Sequence, residues 1–546
     1  METCFGRVQA ATSSQISVVV DADEDNVKTY EGRSYHVCQV GSYVRVPHLG
    51  ADIIGVVSEA VQRDVLARAG EQEVTIGSTR RELTVQLVGA LADGRFKRGV
   101  VSTPCIDEEV HVVTGAQMET IFRGGGTGTV EVGTLSTVPD LAAFVDADLL
   151  FSHHVAVVGG TGSGKSSVVA ATLQQAAALP STRVILLDLH NEYRDAFGED
   201  SLVVPGEMLK LPYWLLNFEE LQDLLVDVAD HSAHNQVMQL KELTIACKRS
   251  ENSDIARLSV DSPVYFDLLK VKEGFEELNT QMVPSSTSRG EKQGPFYGDF
   301  TRLLARLESR MADVRYDFMF CPTGYSSSTS LCAYLRQMLG YGDPSKKITV
   351  VDLSGIPSEV LGVVVSVLCR VIFDFQFWFP EPTARPVVLA LEEAHNYVPR
   401  AGVGRGQAAR ASVERIAKEG RKYGLGLALV SQRPSEISET VLAQCGTFVA
   451  LRLTNPSDQG YVKALVPDAL GEIMSALPAL ERGEAILSGE AVVLPMRVQM
   501  TPANPFPLSH DAKVWTEWSE EKGELGVEAV VEQWQHQRRS TSAGIT

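Results

Sequence analysis

The segment Gly159-Gly-Thr-Gly-Ser-Gly164-Lys165-Ser166 fits the pattern G-x-x-x-x-G-K-[ST]. Glycines at this spacing let successive backbone N–H groups turn inward around a phosphate chain, and a helix that starts there adds its positive end. Lys165 then reaches the β and γ phosphates, and the Ser166 hydroxyl ligates Mg²⁺. Gly159, Gly160, Thr161, Gly162, Ser163, Gly164, Lys165, Ser166 and Ser167 are accordingly the expected binding residues for ATP with Mg²⁺. Downstream, the apolar run Val387–Leu391 ends in Glu392-Glu393. A hydrolytic site needs one carboxylate to hold the metal and one to polarise the attacking water. Glu392 takes the first role and Glu393 the second, while His395 beside them makes no zinc site because H-E-x-x-H is absent.

Three further groups belong to the same chemistry. Gln432, in Ser431-Gln-Arg-Pro434 at the end of another apolar run, can touch the γ phosphate or its water; a polar strand terminus is the alternative. Asp188, His190 and Glu192 follow an apolar run and serve either a site or a cap. From Arg400 to Lys422, seven cations stand against Glu414 and Glu419, 7 − 2 = +5 in an otherwise acidic chain. Arginines here suit a neighbour's ATP site or DNA phosphates in a pore, against the plainer reading of a solvated face. Arg421 is the first choice for an arginine finger and Arg415 the second, and Gly402–Gly406 reads as a gripping loop.

These residues need elements to hold them. Val155–Val158, Val184–Leu187, Ile348–Leu353, Val387–Leu391, Leu425–Val430 and Phe448–Leu453 are short apolar runs, with a helix predicted over Ser166–Leu179. Apolar strands alternating with helices predict an α/β fold with a mostly parallel sheet covered on both faces. Leu303, Leu304, Leu307 and Met311 sit at helical spacing inside a predicted helical insertion, residues 201–340, in which 284–295 reads as a loop. Residues 1–125 carry short runs with turn residues between them (Ile16–Val20, Tyr43–Val46, Ile53–Val57, Leu83–Leu87, Val110–Val113), which predicts a small β-barrel. Gly124–Gly126 mark a break before a short connector. The ATPase core then comprises 126–200 and 341–500, and 501–546 form a polar, helix-prone tail with the basic end His536–Arg539.

Length and composition bound the reading. At 546 residues the chain needs several domains, and 44% hydrophobic with 22% charged residues excludes a mainly disordered or fibrous protein. The balance 49 − 69 = −20 disfavours a passive nucleic-acid coat without excluding a local basic surface. Eight cysteines without a C-x-x-C pair argue against a zinc ribbon or disulfide scaffold and predict reduced, mostly buried thiols. Arg370 and Asp374 interrupt the apolar stretch 361–380, which predicts a buried helix. A soluble cytoplasmic protein without a membrane partner is the expectation.

Taken together, the P-loop, Asp188-Leu-His-Asn-Glu192-Tyr193, Leu211-Pro-Tyr-Trp214-Leu-Leu-Asn217, Glu392-Glu-Ala-His395, Gly420-Arg-Lys-Tyr-Gly424 and Ser431-Gln-Arg-Pro434 resemble, in order, the HerA family of the HerA/FtsK ring ATPases. Gly41–Val46, Gly55–Val57 and Arg98–Val100 look like that family's small barrel. The resemblance covers roughly residues 5 to 500, with Glu-Glu in place of Asp-Glu at the strand end. It implies a RecA-like core, a homo-hexamer, translocation along double-stranded DNA, and a partner nuclease or a defence effector such as a sirtuin-like NADase. The alternative is an ATP-regulated scaffold that switches a partner effector without extensive translocation. A transporter ATPase fits less well, since a Ser-Gly-Gly-Gln signature is missing.

Overall fold

The structure is a computed structural model that describes residues 3–21, 25–66, 77–123, 128–284, 290–321, 323–400, 407–465, 473–508, 514–520 and 526–535. The chain divides into two compact units, residues 1–178 with 427–506, and residues 179–426 with 507–546.

The first unit begins with a barrel. Its strands, in spatial order, are Gln15–Val20, Cys4–Ala11, Glu109–Val112, Tyr43–His48, Ala51–Leu66 and Gly77–Ala92. Gln15–Val20 pairs with Cys4–Ala11 on one side and with Gly77–Ala92 on the other, which closes six strands on themselves. Closure removes the open edges that would otherwise template association. Alternation builds the inside: Ile16, Val18 and Val20 point into the same buried cluster as Phe5, Val44 and Val85. The register slips between Ile54 and Gly55, where a Cβ would stand 2.4 Å from Val85 Cγ1, so only glycine fits. The expected runs are parts of two 16-residue strands, Ile53–Val57 near the start of one and Leu83–Leu87 in the middle of the other.

The same unit holds the strand Val155–Val158, flanked in parallel by Leu425–Ser431 and Thr447–Leu451. Beyond Thr447–Leu451 the order turns antiparallel, through Glu484–Gly489 and Met496–Met500 to the hairpin Thr129–Leu135/Val138–Asp146. The stretch expected as a connector is therefore a sheet hairpin. Its alternate buried residues, such as Val132, Leu135, Leu141 and Ala143, give it a core-facing side. Gly124–Gly126 lie outside the described residues.

In the second unit, Val387–Leu391, Val184–Asp188, Ile348–Asp352 and Ser201–Val204 lie side by side, all parallel. Ser201–Val204 thus belongs to the sheet although it opens the stretch expected to be helical; four residues with Val203 and Val204 are too few to show a period. The helices Phe218–Leu225, Ala233–Glu251, Leu268–Thr280, Thr301–Met311 and Ser330–Leu339 follow. Thr301–Met311 buries Leu303 and Leu307. Within the expected loop 284–295, Met282–Pro284 and Glu291–Gln293 pair as a short hairpin, and 285–289 lie outside the described residues.

Ser358–Trp378 is the one helix among the described residues long and apolar enough to cross a membrane, with mean hydropathy 2.0. Here it is a core helix, 61% buried over that window. Its Arg370 meets Glu220 at 2.9 Å with both side chains nearly buried, and Glu220 also accepts from Ser366 and closes the cap of its own helix at Asn217. A buried charge is tolerated only when matched in this way.

Of the eight cysteines, Cys247, Cys369 and Cys445 are buried, whereas Cys105, Cys321 and Cys332 are exposed; all are free thiols. The expectation of mostly buried thiols is corrected: Cys105 and Cys321 lie outside helices and strands, and Cys332 sits in the helix Ser330–Leu339 off the face that buries Tyr334, Met338 and Leu339. In the tail, Val514–Ser519 and Val527–Gln535 are helices that expose Trp515, Trp518 and Trp534, and His536–Arg539 lie outside the described residues.

Removing one partner of the buried pair strands the other charge. Glu220→Ala is expected to lower unfolding stability by about 3–5 kcal/mol, read as a shift in denaturant midpoint of the full chain. A loss below about 1 kcal/mol would place the pair in water rather than in a core.

Candidate active site

In the first unit, Val155–Val158 runs into the glycine loop and the helix Lys165–Ala177 leaves it. The backbone does what the spacing requires. Gly162 and Gly164 have φ of +72° and +96°, and Gly164 is the helix N-cap. The loop is braced from three sides: Gly159 N donates to Ser431 O at 3.2 Å, Gly160 N to Arg452 O at 2.8 Å, and Gly483 N to Ser163 O at 2.9 Å. A Cβ at Gly159 would stand 2.7 Å from Ser163 Oγ and 2.8 Å from Leu451 Cβ, so the loop leaves no room for a side chain there.

Lys165 is 8% exposed, and the helix it begins has no acidic residue in its first turn. A lysine at the first helical position and a helix N-terminus whose own first turn holds no acid place two positive potentials at one point, which fits an anion of high charge density. The residues present therefore fit a triphosphate. The structure adds one link. Thr161 Oγ1 donates to Gln432 Oε1 at 2.7 Å, so the side chain expected to sense the γ phosphate is joined to the phosphate loop itself. Ser431 Oγ accepts from Arg433 N and fixes the turn behind it. Sequence reasoning missed the Arg482–Gly483 turn, which packs against Gly164; a single glycine 319 residues downstream carries no pattern that could have flagged it.

In the second unit, Val387–Leu391 delivers Glu392 and Glu393 just past its end, 1% and 4% exposed. Glu392 N still donates to Leu187 O at 3.1 Å, as a last rung of the sheet. Glu393 departs from it with φ +47° and ψ +48°, a left-handed conformation costing on the order of 1–2 kcal/mol in a non-glycine residue. The turn takes Glu393 off the strand, so the alternation that would aim two adjacent strand side chains oppositely no longer applies to the pair. His395 Nδ1 stands 3.2 Å from Glu393 Oε2, and the Tyr397 hydroxyl donates to Glu392 O. His395 is a partner of Glu393; the signal was present, two residues after the acid, yet open in its meaning.

Asp188, at the end of the adjacent strand, is fully buried. It accepts from His190 N at 3.2 Å and Tyr193 N at 2.9 Å, which shapes the loop after it. Burial raises its pKa from 3.8 to about 6, opposed by the amides of Tyr193, Glu192 and His190 and aided by Asp352.

The basic segment is more neutral than its composition. Glu414 pairs with Arg410 at 2.7 Å and with Lys418 at 3.6 Å. Arg415 lies 4.3 Å over the Phe373 ring and pairs with Asp374 at 3.8 Å and Glu419 at 3.9 Å. Arg421, on the 3₁₀ turn Gly420–Tyr423, is exposed and makes no ion pair among the described residues. Residues 402–406, expected as a gripping loop, lie outside the described residues.

Comparison with known proteins now bears on this arrangement. The family described as "Helicase HerA, central domain" matches residues 130–372, and "Helicase HerA-like C-terminal" matches 381–525. The chain belongs to the HerA family. As a HerA-family member it is a P-loop ATPase of the helicase class. It is 25% identical over 428 residues to the DNA double-strand break repair helicase HerA of Pyrococcus furiosus, covering 72% of each chain. It is 24% identical over 451 residues to the protein of that name from Sulfolobus acidocaldarius, covering 81% of this chain and 82% of the relative. Among solved structures it is similar to VirB4 of Thermoanaerobacter pseudethanolicus, with a TM-score of 0.47 and 15% identity over 69% of this chain and 97% of that one.

A carboxyl whose pKa is raised on folding binds its proton more tightly in the native state, so its contribution is greatest below the unfolded pKa and declines as pH rises through the folded one. For Asp188 the window is pH 3.8 to about 6, worth about 3 kcal/mol. Asp188→Asn is expected to flatten the fall in unfolding stability between pH 4 and 6.5, measured by urea titration at each pH. An unchanged slope would assign that fall to other groups.

Proposed function

We propose that this HerA-family ATPase is a ring motor that couples ATP hydrolysis to movement along double-stranded DNA. The observation that carries the coupling is the Thr161–Gln432 hydrogen bond: a change at the γ phosphate is felt at once by a strand-end residue and the turn beyond it. The names of its relatives, DNA double-strand break repair helicases, support DNA as the track.

The roles are assigned by chemistry. The amides of Thr161, Gly162 and Gly164, with Lys165, hold the phosphates, and Ser166 and Glu392 supply the ligands for Mg²⁺. When bound, that ion offsets charge on the β and γ phosphate oxygens. Glu393, held by His395, accepts the proton of the attacking water. Arg421 acts as the finger in a neighbouring subunit of a hexamer. Its exposure and its lack of an ion pair among the described residues favour it over Arg415, whose guanidinium is engaged by Phe373, Asp374 and Glu419. The barrel contributes nothing to the phosphate loop and carries exposed Leu49, Val101 and Ile106, which suits it to dock a partner nuclease or defence effector in the cytoplasm.

Lys165→Ala is expected to reduce ATP turnover on the order of 100-fold or more, measured as phosphate release with and without duplex DNA; retained turnover would remove the site. Arg421→Ala should keep nucleotide binding and lose hydrolysis on the order of 1,000-fold. Mixed assemblies of Arg421→Ala with Glu393→Ala subunits should recover activity above either alone, because a wild-type finger then meets a wild-type base at some boundaries. No recovery would place Arg421 outside the neighbour's site.

A further inference from the structure

Away from the phosphate loop, the barrel gathers three metal-ligating side chains of different kinds. His48 ends the strand Tyr43–His48, with its side chain 5% exposed. Its Nδ1 lies 2.8 Å and 3.1 Å from the two carboxylate oxygens of Glu108. Glu108 closes a turn that starts at Cys105: Glu108 N donates to Cys105 O at 3.4 Å, and Cys105 N donates to Glu108 Oε2 at 2.9 Å. Two ligands three residues apart on one turn face the same side, the geometry that zinc-binding turns use. The ligating atoms of His48, Cys105 and Glu108 all lie within 4.8 Å of one another.

The surroundings sort the ligands. Arg7 approaches Asp107 at 4.0 Å and Glu109 at 3.3 Å, which leaves Glu108 as the carboxylate of this turn that faces His48. On the far side of the imidazole, Ser102 Oγ is 2.8 Å from Nε2. A ligating histidine characteristically places its second nitrogen against an outer polar group that fixes ring orientation. The exposed Cys105 gives an ion a way in.

We propose that His48, Cys105 and Glu108 form a zinc-class metal site on the barrel, with Ser102 orienting His48 and a fourth, open position taken by water. Thiolate, imidazole and carboxylate are the donors that Zn²⁺ accepts, and three protein ligands with one open position is the pattern of an exchangeable site. Binding displaces the thiol proton of Cys105, and the proton shared between His48 and Glu108, to solvent. The site stands independently of the ATPase reading. Among the described residues the barrel holds one competing cluster, Cys4, Glu109 and His111, but there Glu109 is engaged by Arg7.

The full chain, stripped with a chelator, is titrated with Zn²⁺ against a chromophoric competitor and separately with Co²⁺ as a spectroscopic probe. The expected result is one tightly bound Zn²⁺ per chain and a thiolate-to-cobalt charge-transfer band. Cys105→Ser should abolish the band, Glu108→Gln should weaken binding at least about 10-fold, and Ser102→Ala should weaken it on the order of 10-fold while leaving the band in place. Cys4→Ser and Lys165→Ala should change neither stoichiometry nor spectrum, the latter separating this site from metal held with nucleotide. If Glu108→Gln fails to fold by circular dichroism, the exposed Cys105→Ser decides alone. Absence of the band in the wild-type chain, its survival in Cys105→Ser, or its loss in Cys4→Ser would each overturn the proposal.

Discussion

A helix that starts at a left-handed glycine, with a buried lysine at its first position and no carboxylate in its own first turn, gathers backbone donors at one point, and the fold must hold that point in shape. The bracing of the phosphate loop follows from that constraint. Backbone groups from Ser431, Arg452 and Gly483 fix the loop by uncharged hydrogen bonds, so its shape is set by groups that carry no charge. The Thr161–Gln432 contact joins the loop to the end of a neighbouring strand.

The second unit solves the opposite problem. Its strand ends concentrate carboxylates, Asp188, Asp352, Glu392 and Glu393, in a region closed to water. Burial alone would favour their neutral forms, as the raised pKa of Asp188 shows. Amide donors, the imidazole of His395 and a left-handed turn at Glu393 hold two of these groups in defined orientations at a conformational cost. Strain of this kind persists where the surrounding sheet over-determines it, and here the flanking strands Val387–Leu391 and Val184–Asp188 do so in register.

The barrel answers to other demands. Closure and alternation give it a self-sufficient core, and its functional possibilities lie in the loops between strands. There a strand-end histidine meets a turn that begins 57 residues later, and two functional groups that carry no shared motif become neighbours.

The glycine-loop pattern, the adjacent pair of acids, the alternation of apolar runs with helices and the family were legible along the chain, because each is a local pattern in which spacing in sequence equals geometry in space. A Gly-rich turn after a strand can hardly do otherwise than cradle an anion. Only the tertiary structure decided which cations of the 400–422 segment are already engaged, that residues 129–146 extend a sheet, that Ser201–Val204 joins one, and that His395 holds Glu393. It alone brought His48 to Cys105 and Glu108, in a chain whose lack of C-x-x-C argued against zinc. The physical reason is common to all of them: ion pairs, sheet neighbours and ligand sets are chosen by what packing brings within a few ångströms, and residues far apart along the chain leave no period by which to read that proximity.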